Sequence, residues 1–191
     1  MSRSRLAVLL VATLVIALAG GCTSVSTGDP RPAESTSAGS ESTTTTSTPP
    51  ARPREIPLSG VDPCTLLPQA DYADFDLDDK PGEPGKDKQG AANCLWQGDI
   101  GYMSASLITY EGVQAYEGRY GQFEPADPIE DFPAFTIVLP NDDNRCFVVV
   151  DVADGQYLKV QVGLDVAPTD RPTCDYAHDF ATSIMSTLVE Q

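Results

Sequence analysis

The stretch "AFTIVLPNDDNRCFVVVDVADGQYLKVQVGL", Ala134 to Leu164, decides the fold. It holds three runs rich in Val, Ile, Phe and Tyr, the residue types that fit a pleated, half-buried surface. Between the runs lie Asn141 to Asn144 and Ala153 to Gly155, both clusters of turn formers. Three such runs joined by short turns make an antiparallel meander. In the third run Leu158, Val160 and Val162 alternate with Tyr157, Lys159 and Gln161. A period of two turns the first set inward and the second outward.

Beyond the meander, Pro172 to Val189 reads as a helix. Cys174, Ala177, Ala181, Ile184, Met185 and Leu188 fall on one apolar stripe of roughly 100°. Before the meander, "NCLWQGDIGYMSASLITY" reads as a hairpin with its turn at Gly98 to Gly101. Val113, Tyr116, Tyr120 and Phe123 then have helical spacing, although Gly118 and Gly121 weaken that helix. "DPCTLLPQADYADF" opens the domain, with Asp62 as N-cap, Pro63 at the first helical position and Pro68 as an interruption. "DDKPGEPGKDKQG", from Asp78 to Gly90, has no periodicity and reads as a loop. The expected class is α+β: an antiparallel sheet of about five strands packed with helices.

Five cysteines are present: Cys22, Cys64, Cys94, Cys146 and Cys174. The last four form an even set, which in an exported domain reads as two disulfides. The local pairs Cys64–Cys94 and Cys146–Cys174 are expected. Each closes a loop of about 30 residues and adds roughly 3.5 kcal/mol on the chain-entropy model. Cys174 points inward from the first turn of the last helix, so a bond to Cys146 would pin that helix to the middle strand of the meander. Zinc is the competing use of these thiols, but there is no C-x-x-C spacing and His178 is the one histidine.

Cys22 belongs to a different region. Residues 1–21 begin with Arg3 and Arg5, continue with an apolar run from Leu6 to Ala19, and end in Gly20-Gly21. That is the pattern of a secretion signal. The apolar run rises only about 21 Å as a helix, against a hydrocarbon core of about 30 Å. With Cys22 after the cut the segment resembles a bacterial lipobox, with Ala19 at −3 and Gly20 at −2. The resemblance implies a diacylated Cys22 and a protein held on the outer face of the cell membrane. An ordinary cut leaving a free Cys22 thiol is the other reading. Residues 22–57 are almost all Ser, Thr, Pro, Ala, Gly and Glu, with Val25 and Ile56 the large apolar exceptions. Such a segment cannot bury enough surface to offset its ordering entropy and reads as a disordered tether.

Residues 58–191 form the globular domain. The chain has 28 Asp/Glu against 12 Lys/Arg, a net charge of −16, and 24 of those acids but only 7 of those bases fall in the domain. This excludes nucleic acid as a partner and opposes adsorption to anionic headgroups.

The lipobox-like start, the Thr/Ser/Pro segment, "DPCTLL", "CLW" and two later cysteines resemble actinobacterial lipoproteins bearing domain of unknown function 3558. The resemblance covers the whole chain. It implies a cell-surface lipoprotein and carries over no catalytic residues. The element order is also similar to PsbP-like sandwiches, an analogy of fold that licenses no function.

Hydrolase signatures such as G-x-S-x-G, S-x-x-K and H-E-x-x-H are missing, as is a Gly-rich phosphate loop. With Cys22 lipidated and the other four cysteines in disulfides, no thiol is left over as a nucleophile. His178 lies at the edge of the helix stripe, where a general base or an ordinary half-buried histidine would sit. Asp74, Asp76 and Asp78 have the 1, 3, 5 spacing of a calcium loop, but Asp79 replaces the needed Gly and Gly85 the needed Glu. No metal or cofactor is expected. Trp96 falls on the same strand face as Cys94, where it either packs against the disulfide or lines a ligand cleft. Two functions remain. One is a tethered module, not an enzyme, that binds a small apolar molecule or an envelope protein. The alternative is an envelope hydrolase with paired carboxylates.

Overall fold

The computed structural model describes residues 51–166 and 171–191. The expected signal at 1–21 and Cys22 lie outside them. Seven strands form one antiparallel sheet: β1 (Glu83–Lys86), β2 (Ala92–Gly98), β3 (Gly101–Ile108), β4 (Gln122–Ile129), β5 (Phe132–Val138), β6 (Arg145–Ala153) and β7 (Gln156–Leu164). Their order is β1-β2-β3-β7-β6-β5-β4, so the third run of the meander, β7, is the central strand. Among the described residues the sheet is joined by one α-helix, α1 (Thr173–Leu188), and three short 3-10 helices.

The count of about five strands needs correction to seven. The two additional strands, β1 and β4, are the two edges of the sheet. Both carry proline, Pro84 in β1 and Pro125 and Pro128 in β4. Proline gives no ladder donor, so it is tolerated at an edge and hides the strand from a propensity reading. The expected helix near Val113 to Phe123 is a single 3-10 turn, Val113–Tyr116, followed by the start of β4.

The helix α1 packs across β6 and β7 on one face of the sheet. Val148, Val150, Leu158, Val160 and Val162 meet Ala177, Ala181, Ile184, Met185 and Leu188 there in one buried core. Phe180 joins them from outside the 100° stripe, fully buried. The 3-10 helix Gln69–Phe75 widens the buried arc of α1, with Phe75 edge-on to Phe180 at 5.1 Å between ring centres. Disulfides join Cys64 to Cys94 and Cys146 to Cys174. The second ties the first turn of α1 to β6.

The opposite face is crossed by the connection from β3 to β4, residues 109–121. This strap must span β7, β6 and β5, because its two strands are not neighbours. Val113 and Tyr116 of the strap pack on Ile108, Phe135, Ile137, Val149 and Tyr157 in a second, smaller core. Tyr157 is one of the residues that the period of two turns outward. It does lie on the face away from α1, but the strap buries it completely.

Of the expected tether at 22–57, residues 22–50 lie outside the described residues, while 51–57 are described. Ile56, counted with the tether, is 7% exposed, and its N–H donates to the Val152 carbonyl at 2.8 Å. Arg52 donates to Asp151 at 2.8 Å and also reaches Asp154 and Glu55. Arg52 and Ile56 therefore pack on the sheet's β6 end.

Candidate functional site

The face away from α1 is organised by strand register. One row of side chains runs across it as Gly85, Asn93, Ser106, Lys159, Val149, Phe135 and Pro125, read from the Cα partners of successive strands. The neighbouring row contains Leu95, Ser104, Gln161, Phe147, Ile137 and Phe123. The first row is polar at Asn93, Ser106 and Lys159 and the second at Ser104 and Gln161, and both are apolar over β6, β5 and β4. Directly opposed side chains on such a ladder have Cβ atoms roughly 4.5–5.5 Å apart. Phe123 and Phe135 stack with centroids 4.6 Å apart at the apolar end.

Lys159 sits midway along the central strand, at the boundary between the two halves. Burial pulls its amine below the ordinary lysine range, and the charges of Asp87 and Glu111 only partly offset that. The ion pairs among the described residues take up Arg52, Lys80, Arg119, Arg145 and Arg171. Lys159 belongs to none of them. Ser106, opposite it, is 4% exposed, and its hydroxyl has no hydrogen-bond partner among the described residues. No fully buried side-chain polar atom goes unpaired there, so this hydroxyl still reaches solvent. Asn93 completes the group. Its amide leans over Gly85, where a β-carbon would come within 2.4 Å of Asn93 Oδ1. Gln161 is fixed differently, donating to the Tyr102 hydroxyl at 2.6 Å.

A rim of tyrosines and carboxylates borders Lys159. Tyr110 donates to Asp87 at 2.9 Å, and Tyr157 donates to Glu111 at 3.2 Å. Arg119 binds both Glu111 oxygens at 3.0 Å. Burial would raise Asp87, but the Ala91 N–H, the Tyr110 hydroxyl, the Gln89 N–H and the Lys159 charge together hold it below the usual range. Burial lifts Tyr110 and Tyr157 well above an ordinary phenol, and pushes Tyr116 up to about 12. A general acid needs a raised carboxyl. Asp87 is the opposite, a carboxylate already furnished with donors. Beside the strap an open depression of about 480 Å³ continues this face, with Phe135 and Pro133 in its wall and Arg52 and Gln114 at its edge.

The family model for protein of unknown function DUF3558 matches residues 17–187. The chain belongs to that family. No curated protein and no solved structure matches it.

Within this DUF3558 chain the residues singled out by sequence lie apart from the row. Cys64–Cys94 and Cys146–Cys174 are disulfides on the α1 side. Trp96 is 2% exposed, donates to the Tyr72 hydroxyl at 3.1 Å and meets Phe180 edge-on at 5.6 Å. It packs beside Cys94 and Gly82, where a β-carbon would lie 2.3 Å from the Cys94 sulfur. It lines no part of the face described above. His178 is half-buried, its Nε2 3.1 Å from the Asp127 carbonyl. Asp74 and Asp76 sit at the end of the 3-10 helix Gln69–Phe75, and Asp78 pairs with Lys80. Among the described residues no three His, Cys, Asp or Glu side chains are grouped to hold a metal ion. No described helix is long and apolar enough to cross a membrane.

Sequence reasoning placed Lys159 on the outward side of β7 but did not single it out. A charged residue midway along an otherwise apolar run was the available signal. Its neighbours Ser106 and Asn93 were invisible, because β3 and β7 are far apart in the chain and pair only in the folded sheet.

Proposed function

We propose that this DUF3558 chain is a lipid-anchored binding module of the cell envelope, held through Cys22 and using the sheet face away from α1 as its binding surface. The anchor is supported by the signal-like residues 1–21 and the Ser/Thr/Pro segment that follows them. Two disulfides fit an oxidising compartment outside the cytoplasm. The observation that carries the binding role is Lys159. A half-buried ammonium in the middle of a sheet, outside every ion pair among the described residues, is costly for stability, and an anionic ligand meeting it would offset that cost.

The test uses intact cells. A photo-crosslinking residue replaces Leu95 on the proposed surface or Ser186 on the exposed side of α1, and adducts are identified by mass spectrometry. A defined adduct at 95 and none at 186 is expected. Equal capture at both positions, or none at 95, would remove the binding role. In the same samples Cys22 should appear as an acylated N-terminal residue, and a soluble chain with a free Cys22 thiol would remove the anchor alone.

A further inference from the structure

The geometry points to a ligand class. We propose that Asn93, Ser106 and Lys159 receive the carboxylate of a monoanionic amphiphile whose apolar body lies along Phe147 and Phe123. The proposal rests on the face away from α1 being the binding surface.

Three adjacent strands supply the donors: the Asn93 amide from β2, the Ser106 hydroxyl from β3 and the Lys159 ammonium from β7. Neither Ser106 nor Lys159 has a hydrogen-bond or ion-pair partner among the described residues. Opposed positions on the ladder are close enough for one carboxylate to accept from both, with one oxygen for each. Binding would give an ammonium that stands outside every ion pair a charge-assisted partner, the strong kind of hydrogen bond.

The charge of the ligand is set by the rim. The charges of Asp87 and Glu111 act on Lys159, and both carboxylates already hold their own donors. A single negative charge balances Lys159, whereas a dianion such as phosphate would also face those two carboxylates. The direction of the apolar body is set by the rows. Past Lys159 the strap covers Val149, Phe135 and Ile137, and beside it on the same face lie Phe147 and Phe123. Phe147 and Phe123 are half-buried and keep apolar surface open to contact.

Decanoate and decan-1-ol, the same chain length with and without the charge, are titrated into the full chain and followed by NMR shifts. Decanoate should bind about tenfold more tightly than decan-1-ol, the worth of one charge-assisted hydrogen bond. Shifts should centre on Leu95, Ser104 and Phe147. Lys159→Met should reduce decanoate to the decan-1-ol level without changing decan-1-ol, and Lys159→Arg should keep the preference. Decanoate bound no more tightly than decan-1-ol, or unaffected by Lys159→Met, would overturn the carboxylate assignment. If decan-1-ol still shifts Leu95 and Phe147 in that case, the binding surface stands without it. If neither compound shifts this face, both fall.

Discussion

Under α1 the strands bury Val148, Val150, Leu158, Val160 and Val162 completely, while on the other face the same strands leave Phe147, Lys159 and Gln161 half-buried. The first face is closed by a 16-residue helix tied down by Cys146–Cys174. The second is crossed by a strap whose one ordered turn inserts Val113 and Tyr116. Gly112, Gly118 and Gly121 lie along that strap, and Gly118 has φ of 71°. The comparison teaches how one sheet separates two tasks. Stability is concentrated where the period of two in the strands meets the 3.6-residue stripe of a helix. The face relieved of that task can carry polar side chains that no core would accept.

The difference should appear first in the largest losses. Phe180 is fully buried and packs edge-on against Phe75 and Trp96. Phe180→Ala should cost about 4 kcal/mol in urea unfolding, the usual toll of an aromatic cavity in a rigid core. Removing the second disulfide with Cys146→Ala and Cys174→Ala together should cost about 3.5 kcal/mol for its closed loop. Amide exchange should then quicken in α1 and stay unchanged over residues 109–121. Tyr116→Ala, the matching truncation on the strap, should cost only about 2 kcal/mol, because a strap without helical support can settle into the space. A loss from Tyr116→Ala as large as that from Phe180→Ala would break the comparison. So would faster exchange in the strap after removal of the disulfide.

The same division explains what could be read from the sequence. The meander, the β2–β3 hairpin and α1 were legible because each is specified by local periodicity and turn residues. The edge strands were not. β1 and β4 contain prolines, and the turn between β4 and β5 places Glu130 and Asp131 at φ of 50° and 64° without the Gly or Asn that usually marks it. Phe180 was missed because the 3-10 helix Gln69–Phe75 buries α1 over a wider arc than its own stripe implies. The binding row was the least legible feature. Tyr157 and Lys159 looked like ordinary outward residues, and only the placing of β7 between β3 and β6 gave them the strap and Ser106 as neighbours.

The smallest effect is the most specific to the strap face, and it is read in alkali. Tyr116 is surrounded by the Tyr120 and Tyr157 rings, with Glu111 and Arg119 nearby, and burial first of all lifts it from 10.0 to about 12. The unfolded chain would release that proton near pH 10 while the folded chain keeps it. Stability from this group is therefore fully present below pH 10 and is lost as pH rises through about 12. Lys159 acts with the opposite sign. Its amine is lowered by burial, so between that lowered value and the ordinary 10.5 the unfolded chain holds more protons and stability climbs with pH. The two contributions oppose one another up to about pH 10.5, and above it the decline runs alone. Unfolding free energy measured from pH 8 to 12 should show a late alkaline fall that Tyr116→Phe makes shallower. Lys159→Met should remove the rise that precedes it. Tyr110 and Tyr157 share the sign of Tyr116, so the fall should persist in part in Tyr116→Phe. An alkaline profile unchanged in both variants would mean that the strap does not keep water from this face.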